Sequence, residues 1–285
     1  MEKIKIIYLS GIGRSGSTLI DLLLSTNQKI FSVGEVYQYQ KVKEDNLMCS
    51  CGKKFNNCDF WKQISKDLCK IINHVNLIDY LKMTNYLINP ISKNINFKNN
   101  SSNYELFYKI KKNNSKINFI LDSSKDIARL IELDQDKRLE IYNISIIRNC
   151  SAVANSFSSG KQGKKKNYYI STIKWFFVNY IMFKYLKKRN KRTLLIQYED
   201  FCKHPEKEIL RIEKYLKIKI SKNYSEKIKN IEYHGLVPNR IAKIKNRKLF
   251  SGIKYDEKWK IELSQFKKSF GTIIEKILNY IIKTN

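Results

Sequence analysis

Gly11-Ile-Gly-Arg-Ser-Gly-Ser-Thr18 follows the apolar run Ile4 to Leu9 and precedes Leu19, Leu22, Leu23 and Leu24. A β-branched run, a glycine-rich turn and a leucine-bearing helix from Ser17 to Ser25 predict a strand, loop and helix unit. In such a unit backbone N–H groups and the helix N-terminus surround an anion. Gly11, Gly16 and Thr18 fill three places of the pattern G-x-x-x-x-G-K-[ST], while Ser17 stands where the lysine belongs. The loop therefore lacks the cation that reaches β- and γ-phosphates, and no later apolar strand ends in an aspartate placed for magnesium. Its cation is Arg14, mid-loop and among hydroxyls, which suits a smaller and less charged group than a triphosphate.

Working outward, Phe119 to Leu121, Ile141 to Ile147 and Thr193 to Gln197 read as further buried strands. Helices are predicted at Ile127 to Lys137, Ala152 to Ser158, Tyr168 to Lys188, Pro205 to Leu216, Glu257 to Lys267 and Thr272 to Ile282. Strand followed by helix, repeated, predicts an α/β, P-loop-like three-layer fold with a mostly parallel central sheet flanked by helices. Residues 36–118 interrupt the alternation with a cysteine-bearing segment, a helical pattern from Asn76 to Leu87 and an Asn/Lys-rich stretch from Ile88 to Asn118. The expectation is one domain over residues 1–285, with 36–118 inserted over the carboxyl edge of the sheet, where ligands of open α/β folds bind. A loose surface excursion is the alternative for Ile88 to Asn118.

At 285 residues and 42% apolar the chain can fill a core, which excludes disorder, and its formal charge of +29 asks for an anionic partner. Lysine outnumbers arginine 46 to 9, with asparagine and isoleucine also abundant, as A/T-rich codon usage produces. The placement of acids says more. The 58 residues between Glu140 and Glu199 contain no Asp or Glu but carry Arg148 and eleven other cations. A second acid-free stretch, Glu232 to Asp256, carries Arg240, Lys243, Lys245, Arg247, Lys248 and Lys254. Lys161 to Arg192 interleaves Tyr168, Tyr169, Trp175 and Phe176 with cations, so a nucleic-acid-binding protein is one reading, although no recognised nucleic-acid module appears. There is no signal-peptide pattern and no apolar run of 18 residues, so the expectation is a cytoplasmic protein whose six cysteines are thiols or metal ligands. No pattern specifies an oligomeric state.

Ile144-Ser-Ile-Ile-Arg148 ends a strand in an arginine, and Ser156 lies eight residues on in the following helix, so the two suit one phosphate. With that second anion site the chain resembles sulfotransferases that use 3′-phosphoadenosine 5′-phosphosulfate (PAPS), particularly bacterial and carbohydrate-type members. The resemblance rests on Gly11 to Thr18 for the 5′-phosphosulfate and on Ile147-Arg-Asn-Cys-Ser-Ala-Val-Ala-Asn-Ser156 for the 3′-phosphate. Gly34-Glu35, Asp122-Ser-Ser-Lys125, Trp175 with Asn179, and Tyr198-Glu-Asp200 before Pro205 follow in family order. The chain departs from the family's Arg-Asp-Pro at Arg148-Asn149-Cys150. It departs again at His234-Gly-Leu-Val-Pro-Asn239-Arg240, where Pro238 replaces a glycine.

The resemblance implies roles. Gly13, Arg14, Ser15, Gly16, Ser17 and Thr18 would hold the phosphosulfate, with Arg14 stabilising the bridging oxygen. Arg148 and Ser156 would hold the 3′-phosphate, with Arg240, ahead of Arg247 and Lys248, as the third cation, and Tyr198 would touch the adenine. Glu35 would be the base, with His234 as runner-up. Ser124, Lys125 and His234 would meet a carbohydrate or small-molecule acceptor. No metal is required, because a sulfuryl group carries less charge than a γ-phosphoryl group. Trp175 and Asn179 are expected to pack against the cofactor site. Cys49-Ser-Cys51-Gly and Cys58 before Phe60-Trp61 resemble an element of some bacterial relatives. Their spacing departs from a C-x-x-C zinc knuckle, so reduced structural thiols are expected, ahead of a local disulfide or zinc with Cys69 as fourth ligand. A P-loop nucleotide kinase is the rival enzyme.

Overall fold

In the computed structural model Ile4–Gly11 forms β1, and its alternating side chains enter two different cores. Ile4, Ile6 and Tyr8 join one buried cluster, Ile7 and Leu9 the other. A strand covered on both faces reads as an unbroken apolar run, which is why this one was legible. The structure describes residues 2–65, 101–160, 165–189, 193–236, 248 and 250–284. Cys69, Arg240 and the helical pattern at Asn76 to Leu87 lie outside the described residues.

Four further strands join β1: β2 (Ile30–Gly34), β3 (Phe119–Lys125), β4 (Leu139–Ile147) and β5 (Thr193–Gln197). All described pairs are parallel, in the order β2-β3-β1-β4-β5, so β1 is central and the glycine loop leaves the middle of the sheet. Ile6 lies level with Ile120 on β3 and Ile141 on β4. The α/β architecture and four of the strands match the sequence expectation. β2 escaped it, because Ile30-Phe-Ser-Val-Gly34 is only five residues long with a serine in the middle.

Helices cover both faces. Along the chain they are α1 (Ser17–Leu24), α2 (Tyr39–Glu44), α3 (Asp59–Ile64), α4 (Ser101–Asn113), α5 (Ile127–Gln135), α6 (Cys150–Ser158), α7 (Tyr168–Lys188), α8 (Tyr198–Lys203), α9 (Pro205–Leu216), α10 (Tyr224–Asn230), α11 (Lys258–Glu262) and α12 (Gln265–Thr284). On one face Tyr39, Val42, Trp61, Leu106, Phe107, Leu130 and Met182 from α2, α3, α4, α5 and α7 meet Ile6 and Tyr8. On the other, Ile20, Leu23, Phe201, Ile209 and Ile212 from α1, α8 and α9 meet Ile7 and Leu9. No helix among the described residues is long and apolar enough to cross a membrane.

Two expectations are corrected. The stretch from Ile88 to Asn118 is no loose excursion where it is described: α4 buries Leu106, Phe107 and Ile110, one apolar stripe among lysines and asparagines. Glu257 to Lys267 is not one helix. Leu263 adopts an extended conformation and is buried against Ala154 and Tyr168, and the Ser264 carbonyl starts α12 by accepting the Lys268 N–H at 3.1 Å. The aromatic residues of α7 offer no stacking face as a set, since Tyr168 and Trp175 are buried in the core.

The outer edge of β2 is covered by residues 233–236. Leu236 bridges Gly34 in parallel, its N–H donates to the Val33 carbonyl at 2.9 Å, and its carbonyl accepts from Glu35 N–H. Covering closes an edge that would otherwise template pairing. Gly34 has φ 67°, and a Cβ there would stand 2.6 Å from the Leu236 oxygen and 2.7 Å from its nitrogen. Gly34→Ala is therefore expected to destabilise the fold by about 2 kcal/mol or more, seen as a clear fall in Tm. An unchanged Tm would mean that the 233–236 segment does not lie against β2.

Candidate functional site

The glycine loop is shaped by one arginine reaching across from another strand. Arg14 sits in the left-handed region at φ 74°, which costs of order 1–2 kcal/mol for a residue with a side chain. Arg148, at the end of β4, holds it there: Nη1 donates to the Arg14 carbonyl at 3.1 Å. Nη2 donates to Asp256 Oδ2 at 3.1 Å, and the guanidinium lies 4.4 Å from the centre of the Tyr198 ring. That ring in turn fills the space beside Gly16, where a Cβ would come within 2.4 Å of it. Gly16 has φ 92° and caps α1 without a side chain, so the first N–H groups of the helix meet no capping hydroxyl and no acid in the first turn.

The loop's hydroxyls differ in setting. Ser15 is 1% exposed and its Oγ has no hydrogen-bond partner among the described residues. A buried unpartnered hydroxyl costs about 1–3 kcal/mol, which points to a ligand at this position. Ser17 is buried in the first turn of α1, and Thr18 is half-buried. Arg148 Nε is a second buried donor without a partner among the described residues. On the far side of the loop Phe157 of α6 lies under the Arg14 guanidinium at 5.6 Å and against Gly13. Ser156, its neighbour, is half-buried on the same helix.

Glu35 follows β2 and is 4% exposed. Its Oε1 is 2.7 Å from Lys125 Nζ, and its Oε2 accepts from Gln38 Nε2 at 3.2 Å and from the Tyr37 hydroxyl at 3.4 Å. Lys125 ends β3 in the left-handed region, φ 70°, and so turns its ammonium to the edge of the sheet. Burial lowers Arg14 from its ordinary value, with the Glu35 charge opposing that shift. Burial and the same carboxylate both push the Tyr37 phenol up. Ser10 of β1 pairs with Lys125 of β3, so the glycine loop leaves its strand beside the Glu35–Lys125 pair.

Other expected residues have different settings. Ser124 is buried and donates to Asp122 Oδ1 at 2.5 Å, while Arg129 Nε donates to Asp122 Oδ2 at 2.7 Å. Ser124 and Asp122 thus form an internal network and present no hydroxyl to the loop; Asp126, not Asp122, caps the next helix, accepting the Ala128 N–H at 2.9 Å. His234 points to the cysteines: its Nδ1 is 3.2 Å from Cys58 Sγ. It also lines a groove of about 950 Å³ beside β2, with Phe31, Phe60 and Glu232, to which no loop residue contributes. Trp175 braces the site, its Nε1 donating to the Arg148 carbonyl at 3.0 Å, and Asn179 Nδ2 donates to the Trp175 carbonyl at 2.8 Å.

The turn after Arg148 explains one departure from the family pattern. Asn149 Oδ1 accepts the Ala152 N–H at 3.1 Å and caps α6. Asn149 Nδ2 and the Cys150 N–H both donate to Glu275 Oε2, at 2.9 and 3.2 Å. A proline at 150 would have no N–H to give; here α12 supplies the acceptor instead. Asp256, Glu275 and Phe157 escaped sequence reading, since each lies on a segment whose approach to the loop no local pattern announces.

No family model and no curated protein matches the sequence. Among solved structures the chain is similar to the sulfotransferase domain from the curacin biosynthetic pathway, with a TM-score of 0.59 at 17% identity over 98% of both chains. It is also similar to the sulfotransferase domain from the Synechococcus PCC 7002 olefin synthase, with a TM-score of 0.55 at 16% identity over 96% of this chain and 95% of that one. The chain thus has the fold of sulfotransferase domains, end to end.

Burial pushes the Glu275 carboxyl above its ordinary 4.5, with the Cys150 N–H opposing and Glu199 reinforcing the shift. A raised folded value means that stability from this group is fully present below about pH 4.5 and is lost as pH rises through the folded value. Glu275→Gln keeps an acceptor for both donors and removes the titration. The Tm difference between the variant and wild type is expected to move in the variant's favour from about pH 4.5 to about pH 7.5. A difference independent of pH would contradict this role.

Proposed function

We propose that the protein is a PAPS-dependent sulfotransferase acting on a hydroxyl or amine of a carbohydrate or small-molecule acceptor. The observation that carries the reading is that a lysine-free glycine loop, centred on Arg14, leaves β1 beside the strand end whose Lys125 pairs with the buried Glu35. Sulfuryl transfer needs an anion cradle, a cation at the leaving oxygen and a base, all within one site. The rival kinase reading needs a loop lysine and a carboxylate for magnesium. Position 17 is a serine, and both oxygens of Asp122, on β3, are already engaged by Ser124 and Arg129.

In this reading the backbone N–H groups of Gly13 to Thr18, with the Ser15, Ser17 and Thr18 hydroxyls, hold the 5′-phosphosulfate. Arg148 and Ser156 hold the 3′-phosphate, and the Asp256 carboxylate on Arg148 Nη2 occupies the place of that anion until the donor displaces it. Glu35 removes the acceptor's proton as its oxygen or nitrogen attacks sulfur. The sulfur–oxygen bond to the phosphate breaks, its electron pair stays on the phosphate, and Arg14 neutralises the charge that appears there. Adenosine 3′,5′-bisphosphate and the sulfated acceptor leave. Residues 36–118 form the acceptor side, a placement supported by Tyr37 and Gln38 contacting the base. Tyr198 serves the loop through Gly16 and Arg148 and presents an edge to the adenine.

Thermal shift with adenosine 3′,5′-bisphosphate is expected to raise Tm where ATP with magnesium and AMP do not; a response to Mg-ATP alone would overturn the reading in favour of a kinase. Arg148→Ala is expected to weaken binding of that bisphosphate by about ten- to a hundredfold. Glu35→Gln is expected to lower kcat by about 10²–10⁴-fold while leaving bisphosphate binding intact.

A further inference from the structure

Three cysteines and one histidine converge between α2, α3 and the strip that covers β2. We propose that Cys49, Cys51, Cys58 and His234 bind a single structural zinc ion, through three sulfurs and Nδ1. The fourth ligand that local spacing did not offer is a histidine 176 residues beyond Cys58.

The distances fit one tetrahedral ion. The four ligand atoms all lie within 4.8 Å of one another. A zinc with bonds of about 2.3 Å to sulfur and about 2.0–2.1 Å to nitrogen sets sulfurs roughly 3.8 Å apart and sulfur from nitrogen roughly 3.5 Å apart. Cys51 Sγ is 3.7 Å from Cys58 Sγ. His234 Nδ1 is 3.2 Å from Cys58 Sγ and 3.9 Å from Cys49 Sγ, on either side of that value. The three cysteines are unbridged, and the sulfur separation is far beyond a disulfide bond of about 2.05 Å. A cluster of two irons would spread its two ligand pairs farther apart than this set allows. Sulfur-rich, four-coordinate and closed is the donor set that selects zinc as a structural ion.

The surroundings orient the ligands. His234 Nε2 lies 2.8 Å from Glu232 Oε1, so its second nitrogen has a carboxylate partner and Nδ1 is left for the metal. Phe60 stacks on the imidazole with ring centres 5.2 Å apart, and Trp61 Nε1 donates to the His234 carbonyl at 2.8 Å. The cysteine turn is itself built: Cys49 N–H donates to Lys53, Gly52 N–H donates to Cys49, and Gly52 takes φ 96° with open space beside it. Ser50 Oγ donates to the Gly235 carbonyl at 2.5 Å and brings the turn against the histidine strip.

The consequence reaches the site. Residues 233–236 lie along β2, and the Leu236 carbonyl accepts the backbone N–H of Glu35. A zinc tying His234 to residues 49–58 fixes that strip, so it acts as a staple behind Glu35; this consequence, unlike the metal site itself, rests on the sulfotransferase reading.

Full-length protein expressed in zinc-supplemented medium and purified without chelator is expected to carry about one zinc per chain by elemental analysis. Cys51→Ser and His234→Ala are each expected to lower that to less than half. To separate metal loss from misfolding of either variant, wild-type protein is also stripped and titrated with cobalt(II). The thiolate-to-cobalt charge-transfer absorption and the intense visible bands of a tetrahedral site are expected, saturating at one equivalent. Metal-free protein that gives no such bands, a Cys51–Cys58 disulfide found by mass spectrometry, or a coloured iron-bearing protein would each overturn the proposal. Metal content is read without donor or acceptor, so its failure leaves the transfer reading standing, and failure to bind adenosine 3′,5′-bisphosphate leaves the zinc standing.

Discussion

Arg148 ties four other parts of the chain to one point, three of them through its guanidinium. It donates to the carbonyl of Arg14 in the loop, pairs with Asp256 from the C-terminal segment, and stacks on Tyr198 from the start of α8. Trp175 of α7 holds its own carbonyl. A buried guanidinium is costly unless its donors are used, and Nε lacks a partner among the described residues. The strained Arg14 backbone and the open N-terminus of α1 persist because this one side chain fixes the loop from outside. The sheet order makes that possible: β4 lies directly beside β1, so the arginine at the end of one strand reaches the loop at the end of the other.

The same sheet brings the chemistry of the other side into range. β3 lies on the opposite flank of β1 and β2 beyond it, so Lys125 and Glu35 leave adjacent strand ends and meet at 2.7 Å. The site is thus a row across four carboxyl ends: Glu35, Lys125, Arg14 and Arg148. Each position follows from strand order, and the glycine loop is the only part of the row that is contiguous in sequence.

That division explains what could be read beforehand. The loop, the strands and the long helices carry local signals, from a glycine-rich turn to apolar runs buried on both faces. Arg148 was legible because it ends a strand. β2 was too short and too mixed to register, and α4 was masked by lysine and asparagine around only a few buried side chains. Ser124 illustrates the limit differently, since its place at a strand end suggested a ligand contact, yet its hydroxyl turns inward to Asp122. The cysteines show the same limit most sharply. Their local spacing argued against a metal, because the fourth donor is supplied from the far end of the chain and no local pattern links His234 to Cys58. The +29 charge divides likewise: lysine excess is spread over the chain, whereas Arg14 and Arg148 have defined partners in one site.

The central claim is that the loop and the end of β4 together form one donor site. Hydrogen exchange with and without saturating adenosine 3′,5′-bisphosphate tests it most directly, because it reports where the ligand sits. Slowed exchange is expected in peptides covering Gly11 to Thr18 and Arg148 to Ser156, with little change at Cys49 to Cys58. Protection that spares both the loop and the Arg148 turn, or that falls only along the groove beside β2, would contradict it.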